Sequence, residues 1–418
     1  MDIPIRRGVD IALPGSPRQV VEPAAKVASV ALLGADFPDI RPDLRVKVGD
    51  QVAAGETLFV DRRRAQIAFT APASGIVTAI SRGRRRSLDA LVIACQGNGA
   101  ESFVAPKKPL SRDGIRTFLL KSGLWPGFRA RPYGRIPDPA AVPHAIFVTA
   151  IDTDPLAVDP TVVIGSQAEL FRSGLDALVM LTDGPVFVCQ SPGPAIAEES
   201  GKQIRCVFFD GPHPAGLPGT HIHCLAPVGG GRVVWHIGYQ DLIAIGHLLA
   251  TGKPSTERVV ALAGPGIRDP RLVRTRLGAN LDDLTEGELG DGDFRIVSGS
   301  PLSGREAGFL GRYHSQVSVL PQPGETARPL IFSRLLGYRC DVPSPLIPLA
   351  AFERVLPLDI LPVPLLRALS VGDAETAERL GCLQLVEEDM ALLSYVCASR
   401  ADYGALLRSV LDDLEEGH

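Results

Sequence analysis

The sequence predicts a multidomain protein of the α+β class, and three observations support this prediction. The chain has 418 residues, and at about 150 residues per domain this length corresponds to roughly three domains. It contains 43 glycines and 36 prolines, which favours many short elements joined by tight turns over a bundle of long helices. Stretches rich in β-branched residues also alternate with stretches of helical periodicity, so both strands and helices are expected.

Charge and composition exclude several classes of protein. The 43 basic and 47 acidic residues give a net charge of -4, so the chain has no general positive field and no nucleic-acid partner is expected. The most apolar stretch, residues 344–369, is interrupted by prolines and charges, which argues against a membrane-spanning helix. The N-terminus lacks an apolar run of signal-peptide length, and the seven cysteines form no CxxC pair. A cytoplasmic chain with reduced thiols is therefore predicted.

Residues 1–105 are predicted to form an N-terminal β-domain. Within them, residues 44–80 contain short β-branched runs separated by the turn sequences VGD, AAGE and PASG. This pattern resembles the barrel-sandwich fold of biotinyl and lipoyl carrier domains. Those carriers bear a lysine on an exposed hairpin, eight residues before the proline that corresponds to Pro72, and here that position is Arg64. A guanidinium is a poor nucleophile, so a carrier function is not expected.

Three further domains are predicted downstream. Residues 106–255 alternate buried strands such as HAIFVTAI with helical segments such as SQAELFRSGLDALVMLT, which predicts a Rossmann-like α/β domain. Its first strand continues into IDTDPLAVDP without a GxGxxG turn, so NADH binding is not predicted there. Residues 256–330 predict a β-grasp domain with a helix near 280–287. Residues 331–418 have helical spacing and predict a helical C-terminal domain.

Several motifs of eight or more residues follow the order of one family. They include GVDIALPGSP, VALLGADFPDIRPDLRVKVGD, SGLWPGFRARPYGRIP, DGPHPAGLPGTHIH, ALAGPGIRDPRLVRTRLGA and AERLGCLQLVEEDMALLSYVC. On these motifs the sequence resembles the A subunit of the sodium-translocating NADH:quinone reductase, from about residue 6 to residue 416. The resemblance identifies the predicted β-grasp domain as similar to SLBB domains. The main departure is the Pro-rich stretch 321–346, which is shorter than in the family.

The resemblance implies a peripheral subunit on the cytoplasmic face of the bacterial inner membrane. The implied complex has six subunits, oxidises NADH, reduces ubiquinone and exports sodium. The implied partners are the other subunits, chiefly a membrane-embedded one, so that membrane contact is indirect. Ubiquinone is a candidate ligand. Flavins and iron-sulfur or iron centres belong to other subunits in this family, so this chain is expected to carry no cofactor and no catalytic residue. A structural role in assembly, with a contribution to ubiquinone access, is the implied function.

The alternative is an independent flavin- and NADH-binding oxidoreductase subunit of the Rnf or complex I type. The Rnf C subunit, a more distant resemblance, holds two clusters through C-x2-C-x2-C-x3-C runs. If Cys397 is the last position of the second run, the preceding positions are Leu393, Met390 and Glu387. The second run therefore keeps one thiolate, and the first run, aligned on Leu361, has none. Because a four-iron cluster needs about four thiolates, a ferredoxin-like frame without a cluster is expected.

Three histidines are candidates for a metal site. If GTHIH formed a strand, His221 and His223 would face the same side of it, and His213 is close in sequence. No nearby cysteine or carboxylate completes a ligand set, so no metal ligand is predicted. A hydrolase is also unsupported, because the sequence contains no GxSxG motif.

Two segments are predicted to contact either quinone or a partner subunit. They are LLGADFPDIRP and SGLWPGFRARPYGRIP. Aromatic faces can flank the ring of a quinone while a guanidinium donates a hydrogen bond to its carbonyl oxygen. A basic aromatic loop serves equally well against a partner protein or anionic lipid, so both interpretations stay open. The candidate residues are Phe37, Arg41, Trp125, Phe128, Arg129, Arg131 and Tyr133.

Overall fold

The computed structural model describes residues 1–23, 26–83, 87–197, 203–322 and 346–417. Most of the Pro-rich stretch 321–346 therefore lies outside the described residues. Within the described ranges, the strands form four sheets and the C-terminal part is helical. None of the helices described is long and apolar enough to cross a membrane.

The elements are numbered in chain order. The strands are β1 (Asp2–Pro4), β2 (Arg18–Pro23), β3 (Ser29–Leu33), β4 (Pro42–Leu44), β5 (Gln51–Val52), β6 (Thr57–Asp61), β7 (Arg64–Thr70), β8 (Gly75–Arg82), β9 (Leu88–Cys95), β10 (Arg129–Arg131), β11 (Ile146–Ala150), β12 (Val186–Gln190), β13 (Ile204–Asp210), β14 (Val234–Gly238), β15 (Glu257–Ala263), β16 (Arg271–Arg276), β17 (Phe294–Ser298), β18 (Arg305–Glu306) and β19 (Gln316–Pro321). The helices are α1 (Arg112–Lys121), α2 (Pro160–Gly165), α3 (Ala168–Leu181), α4 (Pro218–Leu225), α5 (Tyr239–Thr251), α6 (Leu281–Thr285), α7 (Ala350–Val355), α8 (Pro362–Val371), α9 (Ala374–Arg379), α10 (Ala391–Val396) and α11 (Tyr403–Gly417).

Two small antiparallel sheets form the N-terminal barrel sandwich that the sequence predicts. Their strand orders are β3-β9-β8-β5 and β4-β6-β7. Apolar side chains fill the space between them, including Phe59 and Phe69, whose rings stack with centroids 4.6 Å apart. The turns predicted at VGD and AAGE contain Gly49 and Gly55, both at positive φ, where a side chain is disfavoured.

A six-stranded sheet of order β1-β13-β12-β11-β14-β10 forms the second layer. Its first five strands are parallel and β10 is antiparallel to β14, so the predicted parallel α/β unit is confirmed with one antiparallel edge. The predicted helix SQAELFRSGLDALVMLT is α3, and it packs closely against α5 on one face. A Cβ added to Gly246 would lie 1.9 Å from the main-chain oxygen of Leu170, so only glycine permits this approach. Helix α4 covers the opposite face with Ile222.

The third sheet has the order β18-β17-β19-β15-β16-β2. Helix α6 packs on it at the place where the sequence predicts a helix, and Asn280 caps its first turn by accepting from two backbone N–H groups. Strands β1 and β2 come from the N-terminal range 1–105 but do not join the barrel sandwich. Strand β1 pairs with β13 in the α/β sheet, and β2 pairs with β16 in the third sheet. Both strands add to open sheet edges, where unpaired backbone groups are available.

The C-terminal helices α7 to α11 enclose an apolar core of their own, which includes Phe352, Met390 and Tyr403. The GTHIH motif does not form the strand in which His221 and His223 would face the same side; it is helical and lies in α4. Pro218 occupies the first turn of this helix, a position where proline favours helix initiation. Because successive helical residues turn by about 100°, His221 and His223 point away from each other.

Candidate functional site

Residues 122–137, here called the connector segment, lie between the barrel sandwich, the α/β sheet and the C-terminal helices. The segment leads from α1 through a short turn at Trp125–Gly127 into β10. Trp125 and Phe128 are fully buried and pack against Trp235, with ring centroids 5.4 and 5.7 Å from it. The Trp125 indole N–H donates to the main-chain oxygen of Pro137 (3.0 Å). These two candidate residues therefore contribute their aromatic faces to the core.

Phe37 is the aromatic candidate residue that packs in the core of the barrel sandwich. It follows the turn Gly34–Asp36 and is 6% exposed. Its ring makes edge contacts with Phe69 (centroids 4.8 Å apart) and with Tyr313 (6.3 Å). Phe37 thus packs in the barrel core and reaches the loop between β18 and β19 of the third sheet.

Arg129 joins three parts of the chain. Its guanidinium lies over the ring of Tyr313, 4.0 Å from the centroid, a cation–π contact that contributes on the order of 1 kcal/mol. The same group donates to the main-chain oxygens of Asp36 (2.8 Å) and Gly134 (3.2 Å). The Tyr313 hydroxyl in turn donates to the main-chain oxygen of Pro126 (2.8 Å). Arg129 therefore stabilises the meeting point of the barrel, the connector segment and the third sheet.

Two buried carboxylates neutralise the arginines around this point. Asp36 pairs with Arg305 and also accepts from the backbone N–H of Arg312 (2.9 Å). Asp241, at the start of α5, pairs with Arg258 and with Arg312 (2.8 Å). Burial lowers the pKa of Arg258 to about 10, against the opposing effect of Asp241. We call this set the junction network; its members are Asp36, Arg129, Asp241, Arg258, Arg305, Arg312 and Tyr313.

Arg131 begins a second set of ionic contacts, directed at the C-terminal helices. Its side chain is fully buried and donates to Asp389 Oδ2 (3.0 Å), Glu388 Oε1 (3.2 Å) and the main-chain oxygen of Gln384 (3.3 Å). Asp389 is itself buried and also accepts from the backbone N–H of Val386 (2.8 Å). The guanidinium is thus enclosed by acceptors from one short stretch of the C-terminal part.

Further contacts extend this attachment along the connector segment. Arg135 pairs with Asp412 (2.6 Å) and Glu415 (2.7 Å) on α11. From the other side, Arg408 of α11 donates to the main-chain oxygen of Tyr133 (2.9 Å) and pairs with Glu387. The half-buried Tyr133 packs against the C-terminal apolar core. We call these contacts the docking network; its ionisable members are Arg131, Arg135, Glu387, Glu388, Asp389, Arg408, Asp412 and Glu415.

Arg41 differs from the other six candidate residues because its side chain is exposed. Its main-chain oxygen accepts from the backbone N–H of Arg62 (2.8 Å), which places it beside the hairpin between β6 and β7. Phe37 and Arg129 come together at the junction network, and Arg131 and Tyr133 at the docking network. The structure does not bring Arg41 to either of them.

The three histidines considered for a metal site bind different partners. His213 shares a hydrogen bond with the Thr153 hydroxyl (3.2 Å), and His221 bonds the main-chain oxygen of Ala215 (2.9 Å). Burial lowers the pKa of His221 to about 4. His223 contacts the side chain of Gln384 (2.7 Å) and accepts from the backbone N–H of Asp359 (3.0 Å). His223 therefore adds to the attachment of the C-terminal helices.

A cavity of about 50 Å³ adjoins the junction network. Its lining includes Phe37, Phe69, Leu124, Leu310 and Arg312. Pockets that enclose small organic ligands usually measure about 300–1,000 Å³, whereas a water molecule needs only about 10–15 Å³. A cavity of this volume has room for water, and a quinone ring would need a wider one.

Several residues of these networks carry no signal in the sequence alone. Asp241 and Arg258 belong to no motif that indicates a site. Arg312 and Tyr313 lie in LGRYHSQVSVL, a further segment of the family resemblance, but nothing in it indicates their partners. The proximity of these four residues follows from the tertiary fold. Asp389 lies in the family motif AERLGCLQLVEEDMALLSYVC, in which the adjacent acidic residues of EEDM indicate an acidic turn. This acidic turn is the one local signal that could have pointed to a partner for the connector arginines.

Two carboxyl groups near the docking network have unusual acidity. Burial raises the pKa of Glu388 to about 7, and the neighbouring Asp389 adds to the shift while Arg131 opposes it. Burial likewise raises the pKa of Asp152 to about 7, with a further contribution from Asp154. Each carboxyl in the folded chain therefore holds a proton over a pH range in which the unfolded chain has lost it.

This acidity predicts a pH-dependent effect of Glu388→Gln. The stability contributed by a protonated Glu388 is present below about pH 4.5 and is lost as the pH rises to about 7, because the unfolded chain binds fewer protons in that range. The glutamine stays neutral throughout. Relative to the wild type, the variant should therefore become progressively more stable between pH 5 and pH 8 in urea unfolding. Glu416→Gln, which makes the same substitution at an exposed position of α11, serves as the matched control. A constant difference for Glu388→Gln would contradict the prediction.

Known proteins resemble this chain along its whole length. Three family models match: the NqrA N-terminal barrel-sandwich hybrid domain over residues 3–96, the NqrA second alpha/beta domain over 110–254, and the NQRA C-terminal domain over 259–308. The A subunit of the Na(+)-translocating NADH-quinone reductase of Cellvibrio japonicus is 45% identical over 443 residues, and that of Pseudomonas aeruginosa 46% over 444 residues. Each alignment covers 99% of both chains. A solved NAD+-reducing [NiFe]-hydrogenase covers 73% of this chain and 61% of its own at 13% identity, with a TM-score of 0.40, too low to support an argument.

Proposed function

The chain belongs to the family of A subunits of the Na(+)-translocating NADH-quinone reductases, and from this premise we propose that it is an assembly subunit without an electron carrier of its own. In this proposal it binds the cytoplasmic face of the bacterial inner-membrane complex, chiefly through a membrane-embedded subunit. NADH oxidation, ubiquinone reduction and Na+ export use the flavins and iron centres of other subunits. The isolated chain is not catalytic.

One observation carries this proposal: the side chains that occupy the positions of the second cysteine run. Met390 and Leu393 are buried in the apolar core of the C-terminal helices. Glu387 forms a two-point ion pair with Arg408, at 2.6 and 2.8 Å. A thioether, an alkyl group and a paired carboxylate cannot supply the thiolates that a four-iron cluster needs. These side chains instead pack and attach the helices.

The geometry also supports an assembly role for the connector segment. Its arginines bind acceptors on the barrel sandwich and on the C-terminal helices, while its aromatic residues pack in the core. Such contacts fix the relative positions of distant parts of the chain, which a subunit that binds several partners requires. We propose that any contribution to ubiquinone access is made by the cavity wall beside Phe37 and Arg312, and that Trp125 and Phe128 support this wall from inside.

The proposal predicts a colourless protein. The chain, produced without the other subunits, should show no visible absorbance and no bleaching by NADH, and should contain no stoichiometric iron or sulfide. The assembled complex in the same buffer serves as the positive control, since flavins and iron-sulfur centres absorb visible light. A coloured, NADH-bleachable preparation of the chain alone would overturn the proposal in favour of the independent oxidoreductase.

A further inference from the structure

The tip of the hairpin between β6 and β7 presents a cluster of three arginines. Arg62 and Arg63 form the turn between these strands, and Arg41 lies beside them through the backbone hydrogen bond from Arg62. All three residues are exposed. Within the described ranges, none of their guanidinium groups has an ion pair or hydrogen bond. We call Arg41, Arg62 and Arg63 the arginine tip.

The backbone under the arginine tip is held by a buried carboxylate. Asp61 is fully buried, and its Oδ1 accepts from the backbone N–H groups of both Arg63 (3.2 Å) and Arg41 (3.4 Å). Arg64, which follows Arg63 in the chain, donates to Asp61 Oδ2 (3.1 Å) and to the main-chain oxygen of Ile136 (3.0 Å). The three guanidinium groups therefore start from fixed backbone positions. Such preorganisation reduces the entropy lost when they bind a partner.

The arginine tip contrasts with several surface arginines that have acidic partners. Arg18 pairs with Asp269 at 2.8 Å, and Arg112 pairs with Asp183 at 2.5 Å. The whole chain has a net charge of -4, so three adjacent exposed cations form a local charge of opposite sign. The planar fork of arginine binds carboxylates at two points, which suits an acidic partner surface.

We propose that the arginine tip is a docking surface for a cluster of carboxylates on another subunit of the complex, which rests on the proposed assembly function. Ala65 and Gln66, which follow the tip in β7, are exposed and offer little apolar surface, so charge rather than apolar burial would govern recognition. Guanidinium groups on a fixed backbone favour carboxylates that are spaced as the guanidinium groups are. A fluid anionic lipid surface would bind other exposed cations, such as Arg6 and Arg7, equally well.

Rebinding to the complex tests this proposal. Complex depleted of the chain is immobilised through a tag on another subunit, and purified full-length chain is added back. Arg62→Glu/Arg63→Glu should raise the apparent Kd about tenfold at ~0.1 M salt, and the difference should shrink at ~0.5 M salt because screening weakens charge pairs. Arg6→Glu/Arg7→Glu makes the same charge change at another exposed pair and should bind like the wild type. All three proteins should have equal Tm values, since the substituted side chains are exposed.

The outcomes separate this inference from the proposed function. Failure of the wild-type chain to rebind would contradict the assembly role itself. Wild-type rebinding that the Arg62→Glu/Arg63→Glu variant matches at both salt concentrations would overturn the docking surface alone. Equal weakening by Arg6→Glu/Arg7→Glu would also overturn it, because the effect would then reflect general charge. A variant that rebinds normally but no longer binds vesicles of phosphatidylglycerol and phosphatidylcholine would assign the arginine tip to lipid and likewise reject the proposal.

Discussion

Arg131→Ala should lower the free energy of unfolding by about 3–5 kcal/mol, the range seen when one partner of a buried ion pair is removed. The substitution leaves the buried Asp389 without its cation and removes donors from Glu388 and from the main-chain oxygen of Gln384. The lost contacts are those between β10 and the C-terminal helices, so this attachment should be weakened. Urea unfolding should show this loss of stability. Relative to the wild type, the variant should show faster amide hydrogen exchange in α10 and α11, and unchanged exchange in α3.

Two other substitutions make this prediction specific. Arg379→Ala removes an exposed i,i+4 pair with Glu375 and should cost less than about 1 kcal/mol. Arg131→Lys keeps the positive charge, but lysine has no planar fork with which to reach three acceptors. Its free energy of unfolding should therefore lie between those of the wild type and Arg131→Ala. A loss below about 1 kcal/mol for Arg131→Ala, or exchange that is unchanged in α10 and α11, would show that Arg131 does not hold the C-terminal helices.

The connector segment shows which part of such an arrangement the sequence can predict. The concentration of aromatic and basic residues in SGLWPGFRARPYGRIP correctly marks a segment that makes many specific contacts. The direction of its side chains depends on β10, where Arg129 and Arg131 share one face of the sheet and Ala130 lies on the other. The acidic partner Asp389 is 258 residues away in the chain. Neither the direction nor the partner follows from local spacing.

Local chemistry was sufficient for other features. Helices α3 and α6 lie where the sequence predicts helices, and the barrel-sandwich turns contain glycines at positive φ. The GTHIH motif was ambiguous because its apolar pattern is short, and the proline before it was the stronger indicator of a helix. At Arg64, side-chain chemistry argues against a carrier function, which stays a prediction; the guanidinium donates to Asp61 and to the main-chain oxygen of Ile136.

Asp241→Asn should also destabilise the chain by about 3–5 kcal/mol. Its carboxylate is the shared partner of Arg258 and Arg312, whose guanidinium groups are both largely buried. A neutral amide would leave the Arg258 cation without its ion-pair partner and next to the Arg312 cation, and burial already lowers the pKa of Arg258 to about 10. The loss should appear in urea unfolding, and limited proteolysis should increase where α5 meets β15.

A double-mutant cycle distinguishes this charge effect from a simple loss of packing. Arg258→Met removes one of the stranded cations and fills a similar volume, so Asp241→Asn combined with Arg258→Met should cost less than the sum of the two single substitutions. Asp113→Asn, which affects an exposed pair with Arg116, should change stability by less than about 1 kcal/mol. Additive costs in the cycle would mean that Asp241 acts through packing, and the junction network would then not depend on neutralising its arginines.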